Sequence, residues 1–157
     1  MAYRMIKTEG DPILKKKSRT VTEFDERLWT LLDDMKTTLY KAEGVGLAAV
    51  QVGVLKRVVV IDVEDDHGFM ELVNPEIIES KGVQKESEGC LSFPDKSGVT
   101  ERPMYVKVKA QDRNGKFFEV DGEGLLGRCF CHEIDHLDGI SFVQRLAPGE
   151  RVHLSKD

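Results

Sequence analysis

Long apolar runs, an excess of positive charge and a paired set of cysteines are all missing from this sequence. Its three cysteines are an odd number, which does not favour the disulfide framework of a small secreted protein. No apolar stretch approaches the roughly 20 residues that cross a membrane, and the first residues lack the apolar core of a signal peptide. The net charge of −5 argues against direct nucleic-acid binding. We therefore expect a cytoplasmic protein, or one of an organelle matrix, with no membrane contact.

The remaining composition is typical of a globular protein, with 40% hydrophobic and 32% charged residues. A chain of 157 residues is long enough to bury a self-sufficient core. No internal repeat, linker or low-complexity segment marks a boundary between domains. We therefore expect residues 1–157 to form one domain.

Two segments have the apolar periodicity of amphipathic helices. The first follows Thr22, its expected N-cap, and closes at Gly44. The second spans residues 123–138 and stops at Gly139. The apolar face of the first helix is expected to consist of Leu28, Leu31, Leu32, Met35 and Leu39.

Segments between the two helices have the patterns of β-strands. Residues 57–63 are rich in valine and isoleucine, as in a buried strand, and residues 70–73 return after a turn. Residues 105–110 alternate apolar and charged side chains, and an Asn-Gly pair turns the chain into residues 117–120. Helices that bracket a run of strands predict an α+β fold with mostly antiparallel sheets.

The strongest chemical signal is H-E-x-x-H, formed by His132, Glu133 and His136. Histidines four residues apart lie on one face of a helix, so both imidazoles can bind one metal ion. Glu133 projects about 100° around the helix from His132, where its carboxylate can reach a water molecule without binding the metal. The motif therefore predicts two metal ligands and a general base.

A catalytic metal usually has three protein ligands, and zincin-type proteases supply the third one downstream of this motif. The metzincin pattern requires a histidine where Phe142 stands. A thermolysin-like site requires a glutamate on a later helix, but Glu150 follows Pro148 and Gly149, which do not favour a helix. The metzincin pattern therefore fails, and the thermolysin-like pattern has only weak support.

The cysteines offer another third ligand. Cys129 faces the same side of the helix as the histidines, but it lies about 10 Å along the axis from His136, too far for its short side chain. Cys131 points about 100° away from His132. Elimination leaves Cys90, which follows a glycine and precedes Pro94, as in a shaped loop or strand end.

A third segment, residues 44–53, combines glycines and small residues with one isolated polar side chain, Gln51. It lacks the patterns of phosphate-binding loops. Its glycines alone are explained by a helix end and a tightly packed turn. A buried Gln51 would need hydrogen-bonding partners, and a substrate oxyanion would be one of them.

Together the three segments resemble the peptide deformylases. G-x-G-L-A-A-x-Q at 44–51, E-G-C-L-S at 88–92 and H-E-x-D-H at 132–136 match the motifs of that family, in the same order. The likeness extends to residues 10–14 and covers nearly the whole chain. It implies antiparallel sheets packed around a central metal-bearing helix. It also implies hydrolysis of the N-formyl group from the N-terminal formylmethionine of nascent polypeptides, with release of formate.

The resemblance also implies roles for individual residues. The side chain of Gln51 and the backbone N–H of Leu91 would stabilise the oxyanion. Glu88, paired with Arg102, would support the metal site. The metal ligands would be Cys90, His132 and His136, with Glu133 moving protons. The substrate would be bound by Val45, Gly46 and Gly89 as an added strand, and its methionine side chain by Leu125 and Cys129.

The cofactor expected from the resemblance is one divalent metal ion, Fe²⁺ in the cell, with Zn²⁺, Ni²⁺ or Co²⁺ acceptable in purified protein. The expected partners are the formylmethionyl peptide and, transiently, the ribosome. Two other functions compete with this one. A metallopeptidase would use the same chemistry on internal amides, and a non-catalytic relative would bind a metal or a formylated peptide, although Glu133 and Gln51 are both retained.

Overall fold

The computed structural model describes residues 2–155 of the chain. Within this range the strands form a five-stranded sheet of order β1-β2-β3-β6-β7 and a three-stranded sheet of order β4-β5-β8, with antiparallel pairing throughout both. The helices are α1 (Glu26–Lys41) and α2 (Gly124–Leu137). The strands are β1 (Gly46–Ala48), β2 (Val58–Ile61), β3 (Met70–Lys81), β4 (Gln84–Cys90), β5 (Phe93–Arg102), β6 (Tyr105–Gln111), β7 (Phe117–Glu123) and β8 (His153–Leu154).

The five-stranded sheet lies between the two helices. Successive residues of a strand face opposite sides, so Val58 and Val60 pack against α1 while Val59 and Ile61 pack with α2. Strand β2 is thus buried on both faces, which explains its continuous run of β-branched residues. Helix α2, which carries the H-E-x-x-H motif, is fixed by this core. The predicted α+β class with mostly antiparallel sheets is confirmed.

Helix α1 begins three residues later than expected. Asp25, and not Thr22, is the N-cap, because its carboxylate accepts a hydrogen bond from the backbone N–H of Leu28 at 3.3 Å. The expected apolar face is buried as predicted. At the C-terminal end of the helix, Glu43 has the left-handed backbone conformation. Gly44 follows it, and its N–H donates a hydrogen bond to the carbonyl of Leu39, which closes the helix as expected.

Helix α2 and the β6–β7 hairpin match the predictions closely. The helix ends at Leu137, and Gly139 has the left-handed φ of 76° that a chain reversal requires. The β4–β5 hairpin was not predicted, because β4 is mostly polar and exposed, with only Gln84 and Glu88 buried. In the described part of the chain, no helix is long and apolar enough to cross a membrane.

Candidate active site

The structure brings the three predicted metal ligands together. Cys90 is the last residue of β4, at an irregularity in its pairing with β5, and the two histidines lie one turn apart on α2. Ligand atoms of Cys90, His132 and His136 all lie within 4.8 Å of one another. The Sγ atom of Cys90 is 3.2 Å from Nε2 of His136. A thiol and two imidazoles from distant segments thus meet at one point.

A buried network of charges orients His132. Its Nδ1 atom is 2.9 Å from a carboxylate oxygen of Glu88. Arg102 donates two hydrogen bonds to the same carboxylate, at 2.9 and 3.0 Å, and a third one to Asp135 at 2.7 Å. The hydroxyl of Thr100 also donates to Glu88. Because Nδ1 is bound in this way, Nε2 of His132 is left for a metal ion.

The same network shifts the pKa values of its members. Burial alone would raise the pKa of Glu88, but hydrogen bonds from His132 and Arg102 lower it to about 2. Burial opposes the protonation of His132, yet hydrogen bonds to Cys90 and Glu88 raise its pKa to about 10. Burial, together with the charge of His132, lowers the pKa of His136 to about 3. Binding of a metal ion at this site therefore requires His132 to give up a proton.

The residues fit a single divalent metal ion. One sulfur and two imidazole nitrogens are a donor set that suits Zn²⁺ and also Fe²⁺, Ni²⁺ or Co²⁺. Glu88 holds His132 in the way that carboxylates hold metal-binding histidines in other proteins. Beside this set, the Oε1 atom of Glu133 is buried without a hydrogen-bond partner among the described residues. The donor set leaves this carboxylate oxygen free to act on a water molecule.

Glu133 is 4% exposed and lies against the backbone of Gly46. A Cβ atom at position 46 would lie 2.7 Å from a carboxylate oxygen of Glu133 and 2.8 Å from the sulfur of Cys129, so only glycine fits here. Burial raises the pKa of Glu133 to about 7, against a smaller opposing effect of His132. A carboxyl group with this pKa can exchange protons near neutral pH.

The side-chain amide of Gln51 is held in one orientation. Gln51 lies on the 3₁₀ turn Ala49–Val52 and is 1% exposed. Its carbonyl oxygen accepts a hydrogen bond from the N–H of Ala48 at 2.9 Å. Its nitrogen donates to the hydroxyl of Ser92 at 3.0 Å and lies 3.7 Å from the sulfur of Cys90. The amide nitrogen therefore lies between Ser92 and Cys90, one of the three predicted ligands.

These groups surround a cavity of about 480 Å³. Two predicted site residues do not line it: Arg102 lies behind Glu88, and His136 contacts Cys90. Val45 and Leu125 are exposed at the cavity. The predicted residues that line it are Val45, Gly46, Gln51, Glu88, Gly89, Cys90, Leu91, Leu125, Cys129, His132 and Glu133.

Three further residues belong to the site but were not predicted. Thr100 bonds Glu88, and its position two residues before Arg102 on β5 was a usable signal. Arg128 lines the cavity and lies on the same face of α2 as His132. Its guanidinium donates a hydrogen bond to the side-chain carbonyl of Gln84 at 2.9 Å. Ser92 bonds the amide of Gln51, and its place within E-G-C-L-S was the only signal in the sequence.

Two histidines and a buried glutamate on one helix, joined by a cysteine from the end of strand β4, define a metal-dependent hydrolase. The chain belongs to the polypeptide deformylase family, whose sequence model matches residues 3–152. The predicted family is thereby confirmed.

Proteins similar to this chain include the peptide deformylase of Alkaliphilus metalliredigens, 56% identical over 93% of this chain and 98% of that protein. The peptide deformylase of Caldicellulosiruptor bescii is 59% identical over 93% of this chain and 87% of its own length. Among solved structures, a peptide deformylase from Legionella pneumophila superimposes with a TM-score of 0.89 at 49% identity, covering 94% of this chain and 88% of that one. The Thermotoga maritima enzyme gives a TM-score of 0.89 at 42% identity, covering 94% and 99%.

Proposed function

We propose that Glu133, Gln51 and Leu91 carry out peptide deformylation in this chain. The reaction is the hydrolytic removal of the N-formyl group from the N-terminal formylmethionine of nascent polypeptides. One observation carries the proposal: the Cys-His-His set, the unpartnered oxygen of Glu133 and the oriented amide of Gln51 all converge at one cavity. We also propose that residues 1–157 form a single catalytic domain.

A divalent metal ion held by Cys90, His132 and His136 would lower the pKa of a bound water molecule and polarise the formyl oxygen. We propose Fe²⁺ as the ion in the cell, with Zn²⁺, Ni²⁺ or Co²⁺ able to replace it. The donor set is compatible with all four ions. Metal analysis of protein purified under anaerobic conditions tests the assignment, and stoichiometric zinc with no iron would contradict it.

Glu133 moves the protons of the reaction. With a pKa raised by burial to about 7, its carboxylate takes a proton from the attacking water and then delivers it to the departing amine. As water attacks the formyl carbon, negative charge grows on the formyl oxygen. The amide of Gln51 and the backbone N–H of Leu91 donate hydrogen bonds to that oxygen, where the charge is greatest.

The peptide binds as an additional strand between the two sheets. Strand β1 is one edge of the five-stranded sheet, strand β4 is one edge of the three-stranded sheet, and residues of both border the cavity. Val45, Gly46 and Gly89 would pair with the peptide backbone, which tolerates varied side chains downstream. Leu125 and Cys129 would pack against the methionine side chain.

The decisive experiment measures formate released from formyl-Met-Ala-Ser. The control is Met-Ala-Ser, the same peptide without the formyl group. We expect formate from the first peptide and no cleavage of either backbone. Cleavage of the unformylated peptide would favour a metallopeptidase, and binding without formate would favour a non-catalytic relative. A cytoplasmic location and transient contact with the ribosome remain part of the proposal, and co-sedimentation with ribosomes tests the contact.

A further inference from the structure

Ser92 is fully buried beside the proposed oxyanion donors. It is 0% exposed and lies in the tight connection between β4 and β5, where Cys90 pairs with Phe93. Its backbone carbonyl accepts a hydrogen bond from the N–H of Glu9 at 2.8 Å. These contacts fix the backbone on both sides of the hydroxyl group. The hydroxyl therefore stands at a defined position and not on a mobile loop.

The hydrogen bonds of Gln51 indicate a role for the Ser92 hydroxyl. A carboxamide has one acceptor oxygen and two N–H donors. The oxygen is occupied by the N–H of Ala48, and one donor is directed at the Ser92 hydroxyl at 3.0 Å. The second donor is directed at the sulfur of Cys90, at the long distance of 3.7 Å, and so lies beside the predicted metal ligands, where a substrate oxygen would be a better acceptor.

We infer that Ser92 is a positioning residue, which holds the side-chain amide of Gln51 so that its second N–H is directed at the formyl oxygen. The inference rests on the proposed function, in which Gln51 stabilises the oxyanion. Without the hydroxyl, the amide nitrogen keeps only its long contact with the sulfur of Cys90 at 3.7 Å. An amide that is no longer held on its Ser92 side can turn, and its second donor is then less available to the substrate, because stabilisation of the transition state depends on donors that are already oriented.

The test combines Ser92→Ala with Gln51→Leu in a double-mutant cycle. If Ser92 acts through Gln51, Ser92→Ala alone should lower kcat roughly 5- to 50-fold, the range expected for one lost buried hydrogen bond. KM and the metal content per chain should stay within about twofold. In the Gln51→Leu background, the same change should lower kcat by less than about twofold, because the group that it positions is absent.

Two further variants provide controls. Ser92→Thr keeps the hydroxyl and should recover most of the lost kcat. Ser18→Ala removes another buried serine hydroxyl, one without a hydrogen-bond partner in the described chain, and should leave kcat unchanged. Equal losses from Ser92→Ala in both backgrounds, or a raised KM with normal kcat, would overturn the inference. Normal wild-type formate release with an unaffected Ser92→Ala variant would overturn the inference alone, whereas absent wild-type activity would overturn the proposed function.

A measurement independent of activity follows the amide itself. In Zn²⁺-loaded, ¹⁵N-labelled protein, the side-chain amide signal of Gln51 is identified by its disappearance in Gln51→Leu. Because a buried, hydrogen-bonded amide exchanges its protons slowly, we expect exchange with solvent to become at least about tenfold faster in Ser92→Ala. Unchanged exchange and unchanged chemical shifts would show that Ser92 does not hold the amide.

Discussion

The two sides of the active site are stabilised by different forces. On the helix side, His132 is held by the buried ion pair of Glu88 and Arg102, which extends to Asp135. On the strand side, the amide of Gln51 is held by two hydrogen bonds between neutral groups. The helix side thus fixes a ligand for a permanent charge. The strand side keeps neutral hydrogen-bond donors for a negative charge that develops only in the transition state. Interactions made only in the transition state are the ones that accelerate a reaction.

Cys90 joins the two sides, and its removal should have the largest effect. It is 3.2 Å from His136 on the helix side and 3.7 Å from the amide of Gln51 on the strand side. In Cys90→Ala we expect the bound metal to be lost and formate release to fall to background, a larger loss than the roughly 10²–10⁴ of a general base alone.

The control is Cys129→Ala, which removes a buried thiol from the same cavity and should keep the metal. X-ray absorption of the wild-type protein should detect one sulfur and two imidazole ligands. Two sulfur ligands, or retention of the metal by Cys90→Ala, would contradict the proposed ligand set.

Glu133→Gln tests the helix side without removing a ligand. Glutamine has nearly the same size but cannot accept and return a proton, so turnover should fall by roughly 10²–10⁴. The metal content should be unchanged, because Glu133 is not among the three clustered ligands. Loss of metal with normal turnover per bound ion would reverse the roles proposed for this helix.

Gln51→Leu tests the strand side. Leucine fills a similar volume but donates no hydrogen bond, so kcat should fall by about 10²–10³ with little change in KM. Steady-state kinetics on formyl-Met-Ala-Ser measures both constants. A raised KM with normal kcat would mean that Gln51 positions the peptide, and unchanged kinetics would leave it only a packing role.

The two sides also differ in how far the sequence predicts them. His132, Glu133 and His136 are close in sequence, and the 3.6-residue repeat of a helix determines their arrangement. Cys90 was predicted as the third ligand because helix geometry excludes Cys129 and Cys131. The bond between Gln51 and Ser92 joins residues 41 positions apart, and no local pattern indicates such a pairing.

Prediction of the fold from the sequence also succeeds where a local pattern exists and fails where it does not. The core-facing residues of α1 followed from apolar periodicity, and the buried strand β2 followed from its run of valine and isoleucine. The Asp25 cap was missed because several polar residues near a helix start can serve as caps. The polar strand β4 was missed because its pairing with β5, and not its own side chains, stabilises it.

Glu88→Gln should have the smallest effect on activity. It distinguishes the two sides of the site by the pH dependence of the unfolding free energy. It removes the charge that holds His132, so metal affinity should fall roughly 10- to 100-fold. The pKa of Glu88 is about 2, below its ordinary 4.5, so its carboxylate stabilises the fold above pH 4.5 and loses this effect as the pH falls toward 2. A shift of this size corresponds to roughly 3 kcal/mol. Urea unfolding with a chelator present should therefore show a stability difference from wild type at pH 7 that shrinks by pH 3.

The matched control for this last experiment is Glu86→Gln, two residues earlier on β4 and exposed, which should change stability little at either pH. Gln51→Leu is the second comparison, because it removes only neutral hydrogen bonds. Its destabilisation should therefore be the same at pH 7 and pH 3, whereas that of Glu88→Gln should not. If the two variants responded to pH alike, the helix side would not depend on the charge of Glu88, and the distinction between a charged and a neutral side would fail.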